Sequence, residues 1–150
     1  FIVALMTQLL MLGRDDKILE IGTGSGFQAA ILAHFSRRVY TMERYRELAD
    51  TARRRLREMG YENVVCKAGD GSKGWPQYGP FDRIIVTAGA PTVPSALHKQ
   101  LAVGGRMVIP TGDRETQYLQ AHTRTERGIE VENAGCVVFV PLVGEQGWER

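Results

Sequence analysis

Three carboxylates and a glycine-rich turn are the residues best suited to chemistry in this 150-residue chain. The turn is Gly22-Thr23-Gly24-Ser25-Gly26, entered from Leu19-Glu20-Ile21. Glycines at alternate positions let backbone approach a ligand closely and adopt positive φ. Alone, such a turn is equally a structural corner or a dinucleotide site. Three features point instead to S-adenosylmethionine. The spacing is GxGxG, whereas the dinucleotide fingerprint needs glycine where Phe27 stands. Glu20, two residues before Gly22, suits an ammonium group and would repel a pyrophosphate. Glu43, at the end of the next apolar run, can accept both hydroxyls of a ribose, a feature shared with NAD enzymes. Asp70, in Gly69-Asp70-Gly71, could accept from an exocyclic adenine amine. Each acid alone could be a turn-former or helix cap; three at successive strand ends, beside that turn, favour an adenosine ligand.

These residues need a scaffold of strands ending side by side. Ile2 to Leu12 has a helical apolar face that Gly13 should stop. Strands are expected over 17–21, 38–42 closed by Glu43, 64–67, 83–87 and 106–109. Helices are expected through 29–33, over 46–59 with Gly60 at its end, and around 95–101; 72–80 reads as loop. Such alternation predicts a parallel sheet with helices on both faces. Gln117 to Arg124 and Ile129 to Val140 follow without helices and predict an antiparallel pair at the C-terminal end. The expected fold is therefore α/β, a Rossmann-like class I S-adenosylmethionine-dependent methyltransferase in a single domain, residues 1–150.

Composition fits that scaffold. Hydrophobic residues make up 43% and charged residues 24%, as in ordinary globular proteins. A chain of this length buries about 68–70% of its unfolded surface. The net charge of +2 gives no reason to expect nucleic acid or an anionic membrane as a partner. Arg53, Arg54, Arg55 and Arg57 read as a solvated helix face over an apolar stripe of Leu48, Ala52, Leu56 and Met59, with an RNA-contacting patch as the alternative. Cys66 and Cys136 form no CxxC pair and are expected as buried free thiols. No apolar run approaches the roughly 18 residues of a membrane span. His34, His98 and His122 look scattered, and no metal-ligand spacing occurs.

Several longer runs carry a resemblance. Phe81-Asp82-Arg83-Ile84-Ile85-Val86-Thr87-Ala88-Gly89-Ala90-Pro91 closely resembles the fourth-strand motif of protein-L-isoaspartate O-methyltransferases. Val39 to Arg44, Gly69 to Trp75, Gly104 to Pro110, and Phe139-Val140-Pro141-Leu142 followed by Gly144 and Trp148 are similar to further motifs of that family. The resemblance implies transfer of a methyl group from S-adenosyl-L-methionine to the free α-carboxylate of isoaspartyl residues in damaged proteins, with S-adenosyl-L-homocysteine as product. It implies Glu43 and Arg44 beside the ribose, Asp70 and Gly71 beside the adenine, and Thr87, Ala88 and Pro91 near the methionine end. With the glycine turn, the expected cofactor residues are Glu20, Gly22, Thr23, Gly24, Ser25, Gly26, Glu43, Arg44, Asp70, Gly71 and Thr87. Ala88, Pro91, Val140, Pro141 and Leu142 are expected to meet the peptide, the last three being otherwise a strand and its proline-marked end.

In that family an Ile-Ser-(Gln/Ala)-Pro run, whose serine is the residue most often assigned to catalysis, precedes the position of Phe1. The chain is thus expected to be an N-terminally truncated fragment with no catalytic residue of its own. It is expected to be cytoplasmic and monomeric. The rival readings are another class I methyltransferase, acting on RNA or a small molecule, and a non-catalytic fragment retaining only the fold.

Overall fold

The computed structural model describes residues 1–150. One seven-stranded sheet forms its centre: β1 (Lys17–Ile21), β2 (Arg38–Glu43), β3 (Val64–Ala68), β4 (Phe81–Val86), β5 (Leu101–Gly112), β6 (Gln117–Thr125) and β7 (Gly128–Val137). The order is β3-β2-β1-β4-β5-β6-β7. Pairings from β3 through β5 are parallel, and β5-β6-β7 is an antiparallel meander. The chain leaves β1 toward β2 on one side and later returns to β4 on the other. That reversal opens a crevice beyond the carboxyl ends of β1 and β4, the general ligand position of open α/β sheets.

Strand alternation sorts the core into two layers. Leu19, Ile21, Tyr40, Met42, Ile84, Val86, Met107 and Ile109 form one face with Trp75, Leu97 and Leu101, beneath α4 (Ser95–Gln100). Ile18, Val39, Ile85, Val108, Leu119 and Ala121 form the other, against Met6 and Leu10 of α1 (Ile2–Leu10) and Leu32 of α2 (Phe27–Phe35). The helix α3 (Arg46–Glu58) sets Leu56 against Ala29 and Ala30 of α2.

The structure departs from the sequence expectation in several places. The stop of α1 is Met11, left-handed at φ 54°, two residues before Gly13. Its carbonyl, freed from the helix, accepts from the Arg83 guanidinium at 2.9 and 3.2 Å. The buried face of α3 is Ala49, Ala52 and Leu56, while Leu48 and Met59 are exposed. Within the arginine run, Arg53 donates to the Cys66 carbonyl and Arg55 to the Ser25 carbonyl, so half of it is committed to the fold. Both cysteines are free, and Cys66 is buried, but Cys136 is exposed because β7 is an edge strand. The loop over 72–80 contains two short 3-10 turns, Gly71–Lys73 and Pro76–Tyr78. β5 runs well beyond 106–109, since Pro110, Thr111 and Gly112 go on pairing with β6. β7 ends at Val137, and the chain then leaves the sheet.

Candidate functional site

A cavity of about 920 Å³ opens at the carboxyl ends of β1, β2 and β4. Gly22 and Gly24 form its floor. Gly22 has φ +100°, and a Cβ there would lie 2.4 Å from Thr87 Oγ1, so no larger residue fits unless that hydroxyl moves. That hydroxyl is held at the Ile21 and Gly22 carbonyls, at 3.1 and 2.9 Å, which locks the ends of β1 and β4 together. Gly71 closes the floor over Ile21, whose Cγ2 would be 2.3 Å from an added Cβ.

Glu43, at the end of β2, is the acidic wall. Its Oε1 accepts from Gly24 N–H at 3.1 Å and its Oε2 from Tyr45 N–H at 3.4 Å. A carboxylate has about four lone-pair sites, so two remain for a ligand diol. Arg44 also lines the cavity; its Nη1 donates to the Val143 carbonyl at 3.2 Å, and its buried Nε has no partner. The opposite wall comes from beyond β7. Val140 and Leu142 straddle Gly89: Gly89 N–H donates to the Val140 carbonyl, and Leu142 N–H to the Gly89 carbonyl, both at 2.8 Å. Trp148 Nε1 adds a second bond to the Gly89 carbonyl, at 3.1 Å.

Gly22, Gly24, Glu43, Arg44, Gly71, Thr87, Ala88, Val140, Pro141 and Leu142 thus meet at one cavity. Thr23, Ser25, Gly26 and Pro91 are outside its lining. Thr23 instead bonds Thr41 at 2.6 Å, and Gly26 lets Leu56 and Ala52 of α3 approach the turn. Sequence reasoning missed Ile21, Met42, Tyr45, Leu48, Val143 and Arg150 in the lining. Met42 and Tyr45 flank Glu43 and Arg44 in sequence, a signal that could have found them.

Two acids behave otherwise than their sequence positions suggest. Glu20 is fully buried and does not line the cavity. The strand period turns it to the α1–α2 face with Ile18, away from Leu19 and Ile21. Its Oε1 accepts from Thr41 at 2.6 Å, while Oε2 has no partner. Burial pushes its pKa up to about 8; the Thr41 hydroxyl offsets part of this, and the Glu43 charge adds to it. A carboxyl neutral at pH 7 is a poor counter-ion for an ammonium. Asp70 spends three lone pairs inside the protein: Oδ1 on Ser72 N–H (3.0 Å) and Ser72 Oγ (2.6 Å), Oδ2 on Glu145 N–H (2.9 Å). Burial alone would raise its pKa. The Glu145 and Ser72 bonds outweigh that and hold the carboxyl below its ordinary range.

Elsewhere, two histidines expected to be scattered meet. His98 of α4 and His122 of β6 share a 3.0 Å hydrogen bond. No group of three metal-ligating side chains occurs, and no helix is long and apolar enough to cross a membrane.

The family model for protein-L-isoaspartate(D-aspartate) O-methyltransferase matches residues 1–147. The protein-L-isoaspartate O-methyltransferase of Dictyoglomus turgidum is 53% identical over 149 residues, which are 99% of this chain and 68% of that protein. A solved protein-L-isoaspartate O-methyltransferase superposes with TM-score 0.90 at 28% identity, covering 97% of this chain and 48% of the other. A Plasmodium falciparum protein of the same description, solved in complex with S-adenosyl-L-homocysteine, shares the fold with TM-score 0.75 at 24% identity, over 93% of this chain and 72% of its own. With the family model matching residues 1–147 and more than half of its residues identical to a relative over nearly its whole length, the chain belongs to the protein-L-isoaspartate(D-aspartate) O-methyltransferase family and has the class I S-adenosylmethionine-dependent methyltransferase fold.

Proposed function

We propose that this chain, as one domain over residues 1–150, binds S-adenosylmethionine in the cavity. There it directs the methyl group to the free α-carboxylate of an isoaspartyl residue in a damaged protein. The observation that carries this reading is the two-sided cavity: a glycine floor with the Glu43 carboxylate on one side, the Val140–Leu142 wall on the other. About 920 Å³ lies at the upper end of the roughly 300–1,000 Å³ of drug-sized ligand sites, room for the cofactor and part of a peptide.

Glu43 accepts the ribose hydroxyls through its free lone pairs. Gly22 and Gly24 let the methionine end lie against backbone, with Thr87 holding Gly22 and Glu43 holding Gly24. Gly71 lies beneath the base. Ala88 and the 140–142 wall face the incoming peptide. S-adenosylmethionine supplies an activated methyl group. The acceptor carboxylate has a pKa near 4 and is already ionised at neutral pH, so no strong general base is needed. The protein's contribution is alignment, which supplies up to about 7–11 kcal/mol in favourable cases. This fits a cavity whose lining holds a carboxylate and two guanidinium groups, Arg44 and Arg150, but no histidine or cysteine. The reading takes a protein rather than RNA as substrate, a monomer as the acting species, and a reducing, cytoplasmic setting. Its support is the +2 charge, the engagement of Arg53 and Arg55 within the fold, and the two free cysteines.

The test is transfer of labelled methyl to a synthetic isoaspartyl peptide, with the aspartyl peptide as control and calorimetry with S-adenosylhomocysteine alongside. Base-labile label on the isoaspartyl peptide alone is expected. Binding without transfer would reject turnover by these 150 residues but keep the cofactor. Neither binding nor transfer would reject both.

A further inference from the structure

The chain changes partners where it enters the peptide wall. β7 pairs with β6 only as far as Val137, opposite Gln117. Beyond it, the Val140 carbonyl accepts from Gly89 N–H instead. Between these points the Gln117 side chain stands in for a neighbouring strand. Its Oε1 accepts from Phe139 N–H at 2.7 Å, and its Nε2 donates to the Phe139 carbonyl at 3.3 Å. Nε2 also donates to the Asp113 carbonyl at 3.2 Å. Asp113 is held in turn: its Oδ1 accepts from Glu115 and Thr116 N–H, at 2.8 and 2.6 Å, closing the β5–β6 turn. Gln117 is 1% exposed, so both ends of its amide are committed out of reach of water. Gly89 lies against the flat of the carboxamide. A Cβ there would fall 2.5 Å from Gln117 Cδ and 2.6 Å from both Nε2 and Oε1. The loop bearing Gly89 is fixed to β5 by Ala90 N–H to the Pro110 carbonyl and Gly112 N–H to the Ala90 carbonyl, each at 3.0 Å. Gln117 itself does not line the cavity.

We propose that Gln117 is a positioning residue for peptide recognition: its carboxamide grips both backbone groups of Phe139, backs Gly89, and so sets where Val140, Pro141 and Leu142 stand over the cavity. Phe139 packs its ring with Val137 on the α1–α2 face of the sheet, while Val140 is 71% exposed. Without the amide, only the packing of that ring would hold Phe139 between the end of β6 and Gly89. The grip needs a donor and an acceptor on one side chain, which a carboxamide has and a carboxylate or an apolar group of the same size has not. This inference rests on the reading of residues 140–142 as the peptide-facing wall.

The experiment compares the 150-residue chain with Gln117→Met, which keeps the volume and removes both hydrogen-bonding ends, and with Gln117→Glu, which keeps the acceptor. Three quantities are read: S-adenosylhomocysteine affinity by calorimetry, affinity of the S-adenosylhomocysteine-saturated protein for a labelled isoaspartyl peptide, and amide exchange at Phe139. In Gln117→Met, peptide affinity is expected to fall about tenfold and the Phe139 amide to exchange about tenfold faster, as buried groups lose their partners. Cofactor affinity is expected to stay within about twofold. Gln117→Glu supplies a readout that a general loss of stability would not move. Ionised, its carboxylate would face the Phe139 and Asp113 carbonyls with no donor; protonated, it has one again, and burial favours the neutral form. Its peptide affinity, as a ratio to the unmodified chain at the same pH, should be down about tenfold at pH 8 and recover to within about threefold at pH 6. Peptide affinity unchanged in Gln117→Met, or falling in step with cofactor affinity, would overturn the proposal. So would a deficit in Gln117→Glu that is the same at both pH values, or unchanged exchange at Phe139. Failure of the unmodified chain to bind any isoaspartyl peptide would instead defeat the functional reading from which this inference starts.

Discussion

The two walls of the cavity are built on different principles. The cofactor side is built at strand ends: Gly22, Gly24 and Thr87 lie within three residues of the ends of β1 and β4, where Thr87 is held by the Ile21 and Gly22 carbonyls and Gly24 by the Glu43 carboxylate. The peptide side is assembled over distance. Residues 140–148 are in no long helix or strand, and they are fastened to Gly89 by three hydrogen bonds and to Arg44, Asp70, Ser72 and Ala96 by one each. The first arrangement is rigid because the sheet is rigid. The second holds its shape only while its separate fastenings hold, so damage there should change peptide recognition and spare the cofactor.

Gly22→Ala probes that contrast most severely. A left-handed backbone costs a non-glycine residue about 1–3 kcal/mol, and the new Cβ would also strike Thr87 Oγ1. We expect calorimetry to show S-adenosylhomocysteine affinity down by more than about tenfold. Adding Thr87→Ala should return part of the loss by removing the clash and leaving only the backbone strain. Full affinity in Gly22→Ala would mean that the cofactor side is as adaptable as the peptide side. Trp148→Phe is the milder counterpart on the other wall. It removes one N–H bond to the Gly89 carbonyl, worth about 0.5–1.5 kcal/mol. Peptide affinity should drop about threefold with cofactor affinity intact; an equal drop in both would erase the distinction between the walls.

The same division governs what could be read from sequence. Every parallel strand was legible, because buried runs such as Lys17–Ile21 lead into glycine or acid punctuation that declares where they end. The antiparallel pair was legible from two apolar runs with no helix between them. The full burial of Glu20 went unnoticed, although the strand alternation that sets it with Ile18, opposite Leu19 and Ile21, was present in the sequence. The internal bonding of Asp70 was not legible, for a deeper reason. Its partners are the Glu145 amide and, through Ser72, the Gln146 amide, and no local pattern marks a contact across 75 residues. Cys136 looked buried because its neighbours are apolar. Only the strand order shows that β7 is an edge, and one half of its surroundings is solvent.

Buried titrating groups sharpen the comparison further, since each half holds one and their pH dependences run in opposite directions. Glu20 has its folded pKa raised to about 8 from 4.5. Its contribution to stability is fully present below the unfolded value and is lost as pH rises through about 8. Glu20→Gln cannot ionise, so its denaturant midpoint should lose most of the decline that the unmodified chain shows between pH 5 and pH 8. An identical decline in the variant would place the titration elsewhere.

His122 gives the smallest effect and the opposite sign. Burial, helped by the neighbouring His98, lowers its folded pKa to about 4 from 6.5. Its stabilisation is present above 6.5 and is lost as pH falls through about 4. The groups nearest it are neutral: Gln120 Oε1 accepts from His122 Nε2 at 2.9 Å, and His98, its own pKa lowered by burial, bonds the other ring nitrogen. Protonating His122 at Nδ1, the acceptor of that shared bond, sets two donors face to face, so α4 and β6 lose a tie. Because α4 also receives Gln146, loosening it should reach the peptide wall before the glycine turn. His122→Asn should therefore flatten the acid limb of the stability curve between pH 6.5 and pH 4. At pH 4.5 the unmodified chain should lose peptide affinity ahead of cofactor affinity, and loss of both together would show that the two walls share one acid-sensitive support.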